Sequence, residues 1–162
     1  RLMKIGRGHT AGDIIAWIPD ADVIFAGDLV EYGATPYCGD AHFTDWPGTL
    51  DALADFGVRA MVPGRGAALT SKDMLAEVIS GTRGFLVALF EAVKANVAAG
   101  KDLRQTFEAV HATLKPAYGD WVIFEHCLPF NVSRAYDEAR GMDHPRIWTD
   151  ERDRQMWIDL RG

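Results

Sequence analysis

Near residue 70 the apolar pattern of this chain changes its period, and that change limits the folds open to it. Before it, apolar residues come in short β-prone runs closed by turn residues. Ile14-Ile15-Ala16-Trp17-Ile18 stops at Pro19-Asp20, Val23-Ile24-Phe25-Ala26 ends at Gly27-Asp28, and the run from Arg59 to Val62 is cut by Pro63-Gly64-Arg65-Gly66. The short turn between the first two runs predicts a hairpin, and Leu2 to Ile5 offers a further strand. Residues 30–45 read as a long loop. Trp46, Leu50, Leu53, Ala54 and Phe56 then fall at helical spacing, with Asp45 as a cap and Pro47 in the first turn.

From Ser71 onward the spacing is that of helix faces. Met74, Leu75, Val78, Ile79, Phe85, Leu86, Leu89, Phe90 and Val93 recur at three- and four-residue intervals. They predict one long helix, or two joined near Gly81 and Gly84, with a cap in Thr70-Ser71-Lys72-Asp73. A second helix is expected from Leu103 to Leu114, ending at Pro116. A third is expected within 120–140, bent near Pro129, and a last one from Thr149 to Leu160. The order is mixed β/α and then mainly α, with the boundary at 67–71.

Composition narrows the function classes. The chain has 162 residues, 48% of them apolar, enough to bury a core. The net charge of −6 and the scattered Lys and Arg argue against nucleic acid, which requires clustered cations. No apolar run is long enough to cross a bilayer, so neither membrane nor nucleic acid is an expected partner. Cys38 and Cys127 form no CxxC pair and read as free thiols in a reducing, cytoplasmic setting.

Three motifs place polar groups beside glycine at predicted strand ends: Gly8-His9-Thr10-Ala11-Gly12-Asp13, Phe25-Ala26-Gly27-Asp28 and Val62-Pro63-Gly64-Arg65-Gly66. Such ends aim side chains into a shared crevice. A histidine, a carboxylate and a third polar residue from separate loops are the material of a metal site. Taken singly, each motif is also an ordinary turn.

In order and spacing, the three together resemble the second half of the metallo-β-lactamase superfamily, over about residues 2–67. The resemblance implies an α/β fold: the C-terminal half of an αββα sandwich over 1–68, followed by a mainly helical C-terminal region over 69–162. It further implies a zinc-dependent hydrolase, glyoxalase-II-like in its helical tail, acting on a small-molecule ester, thioester or lactone through a metal-bound hydroxide. His9 and Asp28 would be metal ligands, Asp28 bridging two metals or serving one.

Two departures qualify this. Arg65 stands where the family places the histidine of Pro-Gly-His-Gly, and a guanidinium has no lone pair for a metal. Nor does the sequence contain a His-x-His-x-Asp-His motif: its five histidines are His9, His42, His111, His126 and His144. Two ligands make a poor zinc site, so the chain alone is expected to bind zinc weakly and to be inactive without the missing N-terminal half of the domain.

Arg65 has two readings. It could hold a substrate carboxylate or phosphate, or stabilise an oxyanion, where a second cation would sit. It could equally pair with Asp28 or another acid. His42, Tyr37 and Tyr32 on the long loop are candidate substrate contacts, His42 also a stand-in metal ligand; exposed loop polarity is the alternative for His42 and aromatic loop anchoring for the tyrosines. Glu125-His126-Cys127 reads as core packing with a hydrogen-bonded histidine rather than a thiol nucleophile. The rival to an enzyme is a non-catalytic binding or scaffold protein that has lost metal ligands. A third reading is a half-domain that forms a homodimer to cover its exposed sheet; separately, the helical tail could form a dimer interface through Phe85, Leu89, Phe90, Trp121 and Phe124.

Overall fold

The computed structural model describes residues 1–161. Four strands form one sheet in chain order: β1 (Leu2–Met3), β2 (Ile15–Ile18), β3 (Val23–Glu31) and β4 (Ala60–Arg65). β1 and β2 pair antiparallel, as do β2 and β3, so the predicted hairpin is present. Its turn is a single 3-10 turn over Pro19–Ala21, closed by Asp22 in the left-handed region. β3 and β4 run parallel, which requires a crossover, and α1 (Trp46–Ala54) supplies it.

β3 is longer than its apolar run suggests. It continues past Gly27-Asp28 to Glu31, so Asp28 lies inside a strand and not just beyond one. The β3–β4 ladder is irregular there. Val23 pairs with Ala60 and Glu31 with Arg65, with register shifts on either side of Gly27, so β3 spends more residues than β4 over the same stretch. Gly27 has φ of 56°, a conformation that glycine adopts without a Cβ penalty. Extra residues of this kind re-aim side chains. β4 likewise runs through Pro63 to Arg65. Proline is tolerated because β4 lies at the sheet edge, where the missing N–H breaks no central ladder.

The helices follow the apolar spacing closely. α2 (Lys72–Ala98) is one helix and not two, capped by Ser71, whose side chain accepts from the Met74 N–H. α3 (Leu103–Tyr118) starts with a reciprocal Asp102–Gln105 capping box and runs two residues beyond Pro116, correcting the predicted stop. Pro116 falls in the last turn; it forgoes one i→i−4 bond, to the Ala112 carbonyl, and only two residues of helix follow it. α4 (Phe124–Ala139) contains Pro129, and α5 (Asp150–Arg161) ends the described chain. Asp45 precedes α1 without a side-chain capping bond, because its carboxylate is taken by Arg7 Nε at 2.5 Å. No helix among the described residues is long and apolar enough to cross a membrane.

One apolar cluster joins the sheet to the helices. Ile15, Ile24 and Leu29 from the strands meet Leu50 of α1, Phe85 and Leu89 of α2, Val110 of α3 and Leu128 of α4. Phe85, Leu89 and Phe124 are almost wholly buried here, and Phe85 packs against Tyr118 and Trp121. Phe85, Leu89 and Phe124 spend their surface inside the chain and so cannot form a dimer face, while Phe90 and Trp121 are only partly buried.

Candidate metal centre

The His9 loop is built by its neighbours. Asp13 accepts from the Thr10 N–H at 3.0 Å and the Thr10 hydroxyl at 2.7 Å, closing a tight turn around the histidine. The Gly8 carbonyl accepts from the His42 N–H at 2.9 Å, tying the turn to the long loop. A Cβ on Gly8 would stand 2.5 Å from Leu29 Cδ2 and 3.0 Å from Trp46 Cδ1, so only glycine lets this turn approach β3. The imidazole packs edge-on to Trp46 and tilted to Tyr37, with ring centroids 6.1 and 6.2 Å away. Trp46 is itself fixed by donating Nε1–H to the Leu29 carbonyl at 3.1 Å.

Across from it, the bulged part of β3 presents Asp28. His9 Nε2 lies 3.8 Å from Asp28 Oδ2. That is too long for a hydrogen bond, yet it fits two metal–ligand bonds of about 2.0–2.2 Å each meeting at one ion. Imidazole nitrogen and carboxylate oxygen are both donors that zinc accepts. The pair therefore suits a metal, but incompletely: among the described residues no group of three or more His, Cys, Asp or Glu side chains could hold one.

Arg65 approaches the other carboxylate oxygen. Its Nη1 is 3.8 Å from Asp28 Oδ1 and 2.6 Å from Glu31 Oε1. Of the two sequence readings, the structure shows the ion pair, and its main partner is an acid the sequence did not single out. Glu31 has a fully buried side chain, and its Oε2 has no hydrogen-bond partner. Burial raises the Glu31 carboxyl to about 7, although Arg65 opposes the rise. Its backbone is clamped to α2: the Glu31 N–H donates to Thr82 Oγ1, and that hydroxyl donates to the Glu31 carbonyl, both at 3.3 Å. The only hint in the sequence is an acid directly after Leu29-Val30, inside an apolar strand, where a charge needs a partner.

The remaining candidates separate. Tyr37 is partly buried beside His9, and burial raises its phenol to about 12, so it keeps its proton at neutral pH. Tyr32 is exposed. His42 is 1% exposed, and neither ring nitrogen has a hydrogen-bond partner. Burial, with Arg7 and Arg134 nearby, lowers its pKa. It is neither an exposed loop residue nor open to substrate, which corrects those two sequence readings, and it joins no group of three metal-ligating side chains among the described residues. Cys38 and Cys127 are free and buried. Desolvation raises both thiols, Cys127 to about 11, which makes them poor nucleophiles. His126 is exposed rather than packed in the core. Glu125 instead pairs with His111 at 3.0 Å and Lys115 at 2.8 Å. The segment before α5 does reach this area: Trp148 donates to the Gly39 carbonyl at 3.1 Å and packs against Phe130, which touches Tyr37.

Comparison with known proteins agrees with the order of these parts. Residues 1–65, the stretch that carries His9, Asp28 and Arg65, match the family model described as the metallo-beta-lactamase superfamily. Over that stretch the chain is similar to the superfamily. A curated relative, the type 2 metallo-beta-lactamase of Bacteroides fragilis, is 36% identical over 67 residues, which cover 38% of this chain and 27% of that protein. The matched stretch is thus well under half the length of that metallo-beta-lactamase. Among solved structures, the metallo-beta-lactamase from Pontibacter korlensis is 23% identical, covering 52% of this chain and 40% of its own, with a TM-score of 0.45. DIM-1 metallo-beta-lactamase is 21% identical at the same TM-score of 0.45, covering 52% of this chain and 40% of its own.

Proposed function

We propose that this chain is part of a metal-dependent hydrolase acting on a small-molecule ester, thioester or lactone, and that the 162 residues alone are inactive. The observation that carries the reading is the His9–Asp28 pair, two donors facing each other at 3.8 Å with no hydrogen bond between them. The superfamily match over residues 1–65 supports it. Zinc suits the donor set, and His9 Nε2 and Asp28 Oδ2 would hold it, with further ligands from outside this chain. When bound, the metal supplies an acidified water and polarises the bond to be broken.

The chain's own groups do the rest. Asp13, through the turn it closes, and Trp46 fix the His9 ring, so the nitrogen facing Asp28 does not wander. Tyr37, protonated at neutral pH, offers an O–H donor beside it. Arg65 is 42% exposed and keeps N–H donors beyond the one on Glu31, enough to hold a carboxylate, phosphate or developing oxyanion. Hydrolysis of an ester, thioester and lactone panel by the zinc-loaded longer protein tests the reading. His9→Ala and Asp28→Asn are each expected to cost ~100-fold or more in kcat/KM. Unchanged turnover in both variants would overturn it.

One observation favours a second reading. The absence of a third ligating side chain among the described residues suits a metal-free binding protein. Metal analysis separates the two: a longer protein that binds its ligand after complete metal removal is the binding module.

A further inference from the structure

We propose that Glu31 is a positioning residue for the metal pair: it draws the Arg65 guanidinium off Asp28 and so keeps that carboxylate open to a single divalent cation. This rests on the metal reading above. The geometry carries it. Arg65 reaches two carboxylates with the same nitrogen, 2.6 Å from Glu31 and 3.8 Å from Asp28, so it hydrogen-bonds the first and not the second. Glu31 has a fully buried side chain, whereas Asp28 is 40% exposed. Attraction is stronger where water is excluded, so the guanidinium favours Glu31.

Nothing in this arrangement is loose. Glu31 stands opposite Arg65 in the β3–β4 register, and Thr82 of α2 holds its backbone from both sides. The Tyr32 N–H donates to the Arg65 carbonyl at 3.1 Å, fixing the two strand ends together. Gly64 completes the fit: a Cβ there would stand 2.2 Å from Asp28 Oδ1. Asp28 is thus divided. Oδ2 faces His9 and is free for a metal, while Oδ1 faces a fixed positive charge that repels a second cation. With Glu31 neutralised, Asp28 becomes the nearest remaining acid for Arg65, and a direct pair would compete with the metal for its lone pairs.

The test uses the 162-residue chain, Zn²⁺ alone as the probe, and His9 ring-nitrogen NMR signals as the readout. It is run at about pH 8.5, where Glu31 is ionised. Glu31→Gln is expected to weaken Zn²⁺ binding on the order of fivefold, the worth of one partly exposed ion pair. The same substitution made in an Arg65→Met background is expected to cost nothing, because no guanidinium is left to compete. An equal loss in both backgrounds means only that a distant negative charge was removed, and overturns the proposal, as does no loss in either. A metal-free crystal structure of Glu31→Gln gives an independent check: Arg65 Nη1 closes from 3.8 Å to hydrogen-bonding distance of Asp28 Oδ1. A guanidinium that stays in place overturns the proposal. If Zn²⁺ never moves the wild-type His9 signals, the metal reading falls instead, and the crystal structure still decides whether Glu31 restrains Arg65.

Discussion

Two arginines in this molecule meet carboxylates in opposite ways. Arg134 of α4 is wholly buried and bonded all round: Nε donates to the Ala41 carbonyl at 2.7 Å, Nη1 to Met142 at 2.8 Å, and Nη2 to Glu138 at 2.8 Å and the Asp143 carbonyl at 2.9 Å. Glu138 in turn accepts from the Phe43 and Thr44 N–H groups at 3.0 and 2.9 Å. Arg65 is part exposed, uses one donor on a carboxylate, and leaves the second Glu31 oxygen unpaired and buried. The first network is saturated and ties the long loop to α4. The second is left open beside a histidine and an aspartate that face each other without a bond. Saturated buried polar groups hold structure; an unsaturated one is informative here because it lies beside an open donor pair, whereas His42, equally unpaired, is sealed from solvent.

The same substitution in both places tests the contrast most strongly. Arg134→Met is expected to destabilise the fold by about 3–5 kcal/mol, because it leaves the nearly buried Glu138 without its cation and the buried Ala41 carbonyl without a donor. Arg65→Met should cost about 1 kcal/mol or less at pH 6, because Glu31 keeps its proton there and no buried charge is stranded. Urea unfolding at pH 6 measures both, and equal costs would break the comparison.

Titration sharpens it. The folded chain keeps the Glu31 proton up to about pH 7, while an unfolded chain releases it near 4.5. Between those values the folded state binds more protons. Stability from this group is therefore full below 4.5 and lost as the pH rises through 7, by about 3 kcal/mol. Glu31→Gln should flatten that fall in pH-dependent urea midpoints, and an unchanged slope would place the charge elsewhere.

Smaller effects probe the two regions separately. Gly64→Ala forces a Cβ against Asp28 and should destabilise by about 1–3 kcal/mol while weakening Zn²⁺ response at His9. Asp102→Ala removes half of the α3 capping box, should cost about 1 kcal/mol, and should leave His9 untouched. A change at His9 in that variant would mean the two regions are not separable.

The helices and the hairpin were legible because their signals are local. The spacing of Leu75, Val78, Phe85 and Leu89 marks a face of α2, and Pro19-Asp20 marks a turn. His9 and Asp28 were legible because each belongs to a short glycine motif. Glu31 was not, because its partner lies on another strand and the β3 bulge breaks the alternation that would show which side it faces. His42 misled for a related reason. A polar residue in a long irregular stretch reads as exposed, and only its tertiary setting, including the bond to the Gly8 carbonyl, buries it. The stop at Pro63 failed because proline is harmless at a sheet edge, and the stop at Pro116 failed by two residues because one lost N–H bond near a helix end does not unwind the turn around it.

The proposed metal site joins His9 and Asp28 at one ion. Zn²⁺ added to the ¹⁵N-histidine-labelled chain addresses it directly, because each of the five histidines reports for itself. The account predicts that His9 Nε2 responds first and that Asp28→Asn abolishes the response. A first response at His111, which pairs with Glu125 on the surface, with His9 unmoved, would contradict it.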